Sequence, residues 1–179
     1  MAELTLMVGL PGSGKTTRAR GLAEECRALR LTPDEWMIPL FGDNYADGKR
    51  NVLEGRMLAT ALDALGRGIP VVLDYGCWSR DERSAIRWLA ERVGGTYRLV
   101  YMPVDRALQL ARVHHRQQTA AHSTFPMSEQ DLDTWREQFQ EPGKDELAAR
   151  PLPDPPSEFR DWAAWAAWRW PSFPHDLRL

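Results

Sequence analysis

The sequence predicts an α/β domain in which helices cover both faces of a central, mostly parallel sheet. Two observations carry this prediction. Short runs that are apolar throughout alternate along the chain with segments whose apolar residues recur at helical spacing. Strands that are apolar along their whole length are typical of parallel sheets buried on both faces. With 179 residues, the chain is long enough to bury one such core.

Each expected element has local support in the sequence. The strands are expected at residues 4–8, 29–31, 71–73 and 97–101. The helices are expected at residues 15–28, 49–67, 79–93, 104–118 and 128–139, with a further helix that starts at Pro33. Thr32 as the cap, Pro33 in the first turn and Glu35 closing a capping box indicate that start.

The C-terminal part departs from this alternation. Residues 151–158 are rich in proline and polar side chains, and no fifth strand is expected there. Trp162, Trp165 and Trp168 then progress around a helix in steps of three. We therefore expect a Trp-rich C-terminal helix that packs on the sheet or on a second copy of the chain. This divides the sequence into a domain at 1–150 and an extension at 151–179.

Composition and charge narrow the functional classes. The net charge of −2 gives no general attraction to nucleic acid or to an acidic membrane. Cys26 and Cys77 have neither the pattern of a disulfide framework nor metal-ligand spacing, which indicates reduced thiols. The N-terminus shows no signal-peptide pattern, and no apolar run is long enough to span a bilayer. We expect a cytoplasmic protein without membrane attachment, monomeric or homodimeric.

One motif carries most of the chemical information. Residues 9–16 read GLPGSGKT, a phosphate-binding loop between an expected strand and an expected helix. Its glycines let backbone N–H groups turn toward phosphate oxygens, and the helix adds the positive end of its dipole. Lys15 should reach the β- and γ-phosphates, and the Thr16 hydroxyl should bind Mg²⁺. The predicted nucleotide site comprises Gly9, Leu10, Pro11, Gly12, Ser13, Gly14, Lys15, Thr16 and Thr17.

Acidic and basic residues elsewhere could complete this site. Asp34, in the first turn of a helix, could accept a proton from an attacking hydroxyl or could complement the helix dipole, and its position leaves both open. Asp74 ends an apolar strand, a position that favours an acid holding Mg²⁺ over a simple strand-end residue. Arg112 and Arg116 share a helix face, either as lid residues that close over the triphosphate or as a solvated basic surface.

Six segments together resemble a known family, the small AAA-type P-loop kinases. That family includes the kinase domain of polynucleotide 5′-kinases and, more loosely, zeta toxins and chloramphenicol phosphotransferase. The matching segments are GLPGSGKTT at 9–17, TPDE at 32–35, VVLD at 71–74, SRDER at 79–83, RVHHR at 112–116 and FQEPGKDE at 139–146. The phosphate loop is specific to the superfamily, whereas the other segments gain weight from their order.

The resemblance implies an adenylate-kinase-like P-loop NTPase fold of three layers, with sheet order 2-3-1-4. It also implies a kinase that uses ATP and Mg²⁺, with Asp34 as the general base and Asp74 on the metal side. Lys15 and Arg116 would then be catalytic, with Arg116 and Arg112 belonging to a lid at about 112–127.

The resemblance further assigns residues at both ends of the cleft. Arg83 matches an arginine that follows the strand-end acid in polynucleotide kinases, where it would lie near the substrate. Pro142 and Gly143 match a loop that borders the adenine. The alternatives are a cation on a helix surface for Arg83 and a simple helix stop for Pro142 and Gly143.

One departure from the family bears on the acceptor. Polynucleotide kinases typically place an arginine three residues after the base, and Met37 stands there instead, beside Trp36. Such a pair suits a small hydroxylated molecule better than a charged strand, with core packing as the alternative. We expect transfer of the γ-phosphate of ATP to a small-molecule hydroxyl. A 5′-hydroxyl polynucleotide kinase, which would take nucleic acid, and a nucleotide-binding regulatory module without phosphotransfer are the alternatives.

Overall fold

The sheet has the predicted arrangement. A computed structural model describes residues 1–43, 46–119, 126–148 and 150–174. All strand pairs are parallel, and their order is β2-β3-β1-β4. The strands are β1 (Glu3–Val8), β2 (Leu29–Leu31), β3 (Val71–Gly76) and β4 (Thr96–Tyr101). The predicted order 2-3-1-4 is therefore confirmed.

The helices follow the predicted sequence of elements closely. Seven of them were expected: α1 (Lys15–Cys26), α2 (Pro33–Phe41), α3 (Lys49–Gly66), α4 (Arg80–Arg92), α5 (Arg106–Thr119), α6 (Glu129–Gln138) and α8 (Trp162–Arg169). The short helix α7 (Lys144–Leu147) and a 3₁₀ turn at Ala46–Gly48 were not expected. The stretch 151–158 contains no strand, as predicted.

Two apolar layers cover the sheet, one on each face. On one face, α3, α4 and α8 share a core with alternate residues of β1 and β3, including Leu4, Leu6 and Leu73. On the other face, Ala19 and Leu22 of α1 pack against β1 and β3. This burial on both faces is the reason why the strands are apolar throughout.

The start of α2 differs from its prediction in one respect. Thr32 is the N-cap residue, but its side chain makes no capping hydrogen bond, so the expected capping box with Glu35 is wrong. The Glu35 carboxylate instead accepts hydrogen bonds from Arg20 at 2.7 Å and from Arg30 at 2.6 Å. Two guanidinium groups compete more strongly for a carboxylate than one backbone N–H does.

Strand β3 also runs further than predicted. It was expected to stop at Asp74, but it continues to Gly76, and its register against β1 shifts between Leu6 and Val8. This irregularity places two residues of β3 against one of β1, as in a β-bulge. Asp74 therefore lies inside the strand near its carboxyl end.

The tryptophans of the C-terminal segment are mainly core residues. Trp162 and Trp165 of α8 are buried, as is Trp170 directly after it, whereas Trp168 is 66% exposed and tilts against Phe159. The predicted Trp-rich C-terminal helix is therefore confirmed, and two of its three spaced tryptophans pack into the core. The segment approaches α3 so closely that a Cβ added at Gly55 would lie 2.6 Å from Ser172 Oγ and 2.9 Å from the backbone nitrogen of Phe173.

We predict opposite effects for alanine at two glycines of α3. Gly55→Ala should lower the free energy of unfolding by about 1–3 kcal/mol, since the added methyl group overpacks the contact with the C-terminal segment. Gly66→Ala is the matched control, because a Cβ there meets no atom within 4 Å. It should be neutral or stabilising by about 0.5–1 kcal/mol. Urea unfolding of both variants measures the difference, and equal midpoints would contradict the close packing described above.

Candidate active site

A cleft of about 570 Å³ opens where the strands end at their carboxyl edge. Its walls come from the loop after β1, the N-terminal turns of α2 and α3, the end of β3, helix α5 and the C-terminal segment. The carboxyl edge is where ligands bind in open parallel sheets. The volume lies in the range of small-molecule sites.

The phosphate loop has the backbone conformation that its glycines permit. Gly12 and Gly14 have φ of +79° and +97°, a region in which other residues are strained. Pro11, Gly12, Gly14, Lys15, Thr16 and Thr17 line the cleft. Helix α1 starts at Lys15 without a side-chain cap and without an acidic residue in its first turn. Its N–H groups and the positive end of its dipole therefore face the cleft unneutralised.

Lys15 adds a full positive charge to this cradle. Its ammonium donates a hydrogen bond of 2.9 Å to the carbonyl oxygen of Leu10. Burial lowers the pKa of Lys15, and the nearby carboxylates of Asp74 and Asp34 oppose that shift. The ammonium is thus held in place by backbone, close to two acids, where a bound triphosphate would meet it.

Asp74 is the acid nearest to the loop. Its side chain is 2% exposed, and burial raises its pKa, while the neighbouring Lys15 and Thr16 oppose the rise. Oδ2 of Asp74 has no hydrogen-bond partner among the described residues, and Nη1 of Arg30 lies 3.9 Å from it. A buried carboxylate oxygen left without a donor beside the Thr16 hydroxyl fits a Mg²⁺ ion, which prefers such ligands.

No group of three or more His, Cys, Asp or Glu side chains that could hold a metal occurs within the described ranges. This agrees with the way Mg²⁺ binds beside nucleotides, where one or two protein oxygens share the ion with phosphates and water. Thr16 and Asp74 are the residues of this chain that fit that role.

Asp34 reaches the same cleft from the first turn of α2. Its carboxylate is 56% exposed and accepts from Nη2 of Arg50 at 2.9 Å. Arg50, in α3, also donates from Nε to Glu54 at 3.0 Å. Burial raises the pKa of Glu54, while the charges of Arg50 and Arg169 oppose the rise. Arg50 thereby fixes the direction of the Asp34 carboxylate.

Helix α5 lies against the phosphate loop. Arg112 and Arg116 both line the cleft, as their shared helix face predicts. Nη1 of Arg112 donates to the carbonyl oxygens of Gly12 at 3.2 Å and Ser13 at 3.3 Å. The lid was expected at about 112–127, of which residues 120–125 lie outside the described residues. At its far end, Met127 packs with α5 and α6.

A family model described as an AAA domain matches residues 4–142 of the chain. The chain belongs to this family of AAA domains. No curated protein matches this family member at a significant level. Within the described ranges, no helix of this chain has the length and apolarity needed to cross a membrane.

Several solved structures share the fold of this chain. A chain of the Pnkp1/Rnl/Hen1 RNA repair complex matches with a TM-score of 0.67 and 17% identity, over 76% of the present chain and 43% of that one. A candidate kinase from Chloroflexus aurantiacus matches with a TM-score of 0.63 and 19% identity, over 93% of the present chain and 96% of that one. A gluconokinase from Sinorhizobium meliloti matches with a TM-score of 0.54 and 22% identity, over 94% of the present chain and 91% of that one.

Three residues of this chain that were predicted for the substrate side of the site do not line the cleft. Trp36 is 48% exposed on α2, and Met37 is completely buried. Arg83 is 1% exposed and pairs with Glu146 of α7 through two hydrogen bonds of 2.8 and 3.0 Å. We therefore leave these residues out of the proposed acceptor site, since none of them lines the cleft.

The remaining residues that were predicted to bind the nucleotide do not line the cleft. Leu10 and Ser13 are buried, and a Cβ at Gly9 would lie 2.5 Å from the carbonyl oxygen of Met102. Pro142 is buried, and Gly143 begins α7. The predicted role of these two residues toward adenine stays a prediction.

Sequence reasoning missed one side of the cleft. Eight charged or aromatic residues line the cleft without having been predicted: Arg50, Glu54, Tyr75, Trp78, Glu82, Trp135, Arg169 and Trp170. The spacing of Arg50 and Glu54, four residues apart on a helix, is the one local signal that could have revealed part of this set. The other members come together through tertiary contacts.

We predict that Asp74→Asn separates metal binding from stability. The Mg²⁺ concentration for half-maximal binding of a fluorescent ATP analogue should rise about 10- to 100-fold, since an amide is a weaker Mg²⁺ ligand. The free energy of unfolding of the ligand-free protein should increase, because a buried, incompletely paired carboxylate is removed. Asp63→Asn is the control, since Asp63 is 66% exposed on α3. An unchanged Mg²⁺ requirement would exclude Asp74 from the metal site.

Proposed function

We propose that this chain transfers the γ-phosphate of ATP to a hydroxyl group of a small molecule. The observation that carries the proposal is the position of Asp34. Its half-exposed carboxylate opens on the same cleft as Lys15 and Asp74, and Arg50 holds it in a fixed direction. A phosphate cradle that faces a solvent-accessible, oriented carboxylate across a cleft is the arrangement that phosphoryl transfer to an alcohol needs.

The nucleotide half of the cleft would hold MgATP. The loop at 9–17 and Lys15 would bind the β- and γ-phosphates, and Thr16 and Asp74 would hold Mg²⁺, which neutralises phosphate charge when bound. Arg112 and Arg116 would approach the triphosphate from α5 and stabilise the charge that develops during transfer. The positive groups of this half are thus concentrated where the phosphates would lie.

The acceptor half would activate the hydroxyl. The acceptor O–H gives its proton to the Asp34 carboxylate while its oxygen forms a bond to the γ-phosphorus. The bond from that phosphorus to the bridging oxygen breaks, and ADP leaves with the electron pair. Arg50 keeps the Asp34 carboxylate aimed and balances its charge before the proton arrives.

A 5′-hydroxyl polynucleotide is the second candidate acceptor. The fold likeness to a chain of the RNA repair complex favours it, although at 17% identity that likeness concerns the fold alone. Against it stands Met37, where polynucleotide kinases typically have an arginine, since its side chain is completely buried. We therefore rank a small-molecule acceptor first.

We predict that Asp34→Asn abolishes transfer but not nucleotide binding. The transfer rate from radiolabelled ATP to the acceptor should fall about 10²- to 10⁴-fold, the usual contribution of a general base. The affinity for MgATP, measured by calorimetry, should change less than about twofold, because Asp34 lies outside the phosphate loop.

Glu35→Gln is the matched control for this variant. Glu35 is the next residue of the same helix, and its carboxylate pairs with Arg20 and Arg30 outside the cleft. Transfer by Glu35→Gln should stay close to that of the unaltered protein. A regulatory module without phosphotransfer would show no transfer for Asp34→Asn to abolish, and equal rates for all three proteins would exclude Asp34 as the base.

A further inference from the structure

The C-terminal segment forms one wall of the cleft. Arg169, the last residue of α8, and Trp170 both line it. Nε and Nη2 of Arg169 lie 2.9 and 2.6 Å from Oε1 of Glu82, and Nη1 donates to the side-chain oxygen of Asn51 at 2.9 Å. The indole N–H of Trp170 donates to Glu54 at 3.2 Å. These contacts join the segment to α3 and α4 at the acceptor half. The segment therefore contributes side chains to the cleft in addition to packing on the sheet.

The charged side chains of the acceptor half are already paired with one another. Arg50 pairs with Asp34 and Glu54, and Arg169 pairs with Glu82. Three carboxylates therefore face two guanidinium groups, with no surplus of positive charge among the described residues. A carboxylate or phosphate on the acceptor would meet a balanced or slightly negative wall. The free positive charges of the cleft lie on the nucleotide side, where ATP would take them.

The same pairs offer donors and acceptors side by side. Guanidinium N–H groups, carboxylate oxygens and the Asn51 amide alternate along this wall. A hydroxyl group both donates and accepts, so it matches such a wall without displacing an ion pair. A cationic acceptor would have to compete with two arginines for carboxylates that they already hold. Tyr75 and Trp78 supply apolar surface in the same cleft, against which carbon-bound hydrogens can pack.

We propose that the acceptor is an uncharged polyhydroxylated molecule, and that Arg169 of the C-terminal segment is a specificity-determining residue of its subsite. This inference rests on the proposed phosphotransfer and adds the chemical class of the acceptor. Polyols and neutral sugars belong to this class, whereas sugar acids, aminoglycosides and oligonucleotides do not.

The acceptor class is tested with matched pairs of compounds. Transfer from radiolabelled ATP is measured onto alditols and neutral sugars, the sugar acids of the same carbon skeletons, an aminoglycoside and a 5′-hydroxyl oligonucleotide. The expected result is a kcat/KM at least tenfold higher for a neutral member than for its acid. Preference for an acid, an amine or an oligonucleotide would overturn the inference and leave the proposed phosphotransfer intact. Transfer to no compound of any charge would overturn the proposed function and the inference with it.

The role of Arg169 is tested with the best acceptor of that panel. Arg169→Gln should raise the KM for the acceptor about 10- to 100-fold, the loss expected for a hydrogen bond to a charged group. The KM for ATP should change less than about twofold. Arg169→Lys keeps the charge but loses the planar fork, so it gives the same readout if the glutamine variant does not fold.

Arg160→Gln is the matched control, since Arg160 belongs to the same C-terminal segment, is 81% exposed and pairs only with its neighbour Asp161 among the described contacts. Its KM values should equal those of the unaltered protein. An acceptor KM left unchanged by Arg169→Gln and Arg169→Lys would remove Arg169 from the subsite. Equal rises in the KM for ATP and for the acceptor would show a general structural role instead.

Discussion

The rest of the structure depends on the junction between the phosphate loop and the start of α1. The loop turns back at the carboxyl end of β1, so the unpaired N–H groups of the helix and the Lys15 ammonium meet at one point. This concentration of positive charge favours the binding of an anion. The order β2-β3-β1-β4 then decides the neighbours of that point, because β3 lies directly beside β1 and carries Asp74 to it.

The sequence predicts the fold and the nucleotide half of the site because both follow from local patterns. Apolar runs define the strands, and the loop at 9–16 has fixed spacing, so the positions of Lys15 and Thr16 follow directly. The acceptor half is different. Arg169 and Glu82 are separated by 87 residues, and their ion pair follows from how α8 packs on α4. Pairings of this kind leave no periodic signal, which is why the sequence does not reveal that Arg169 lines the cleft.

The C-terminal segment joins stability to the site. Trp162, Trp165 and Trp170 belong to the main core, where large aromatic side chains contribute much buried apolar area. The cleft, by contrast, contains Lys15 and Asp74 in surroundings that disfavour their charges. Such groups cost folding free energy in the absence of ligand and are typical of functional sites. The same segment that strengthens the core thus forms one wall of the cleft.

The most direct test of this account is calorimetric titration of the folded protein with MgATP. The account predicts saturable binding by the unaltered chain and by Lys144→Ala, whose lysine is exposed on α7. Lys15→Ala should lose at least about tenfold in affinity, since one ammonium–phosphate contact is worth about 1.5–3 kcal/mol. Absence of MgATP binding by well-folded protein, or equal affinity for all three proteins, would contradict the account at its base.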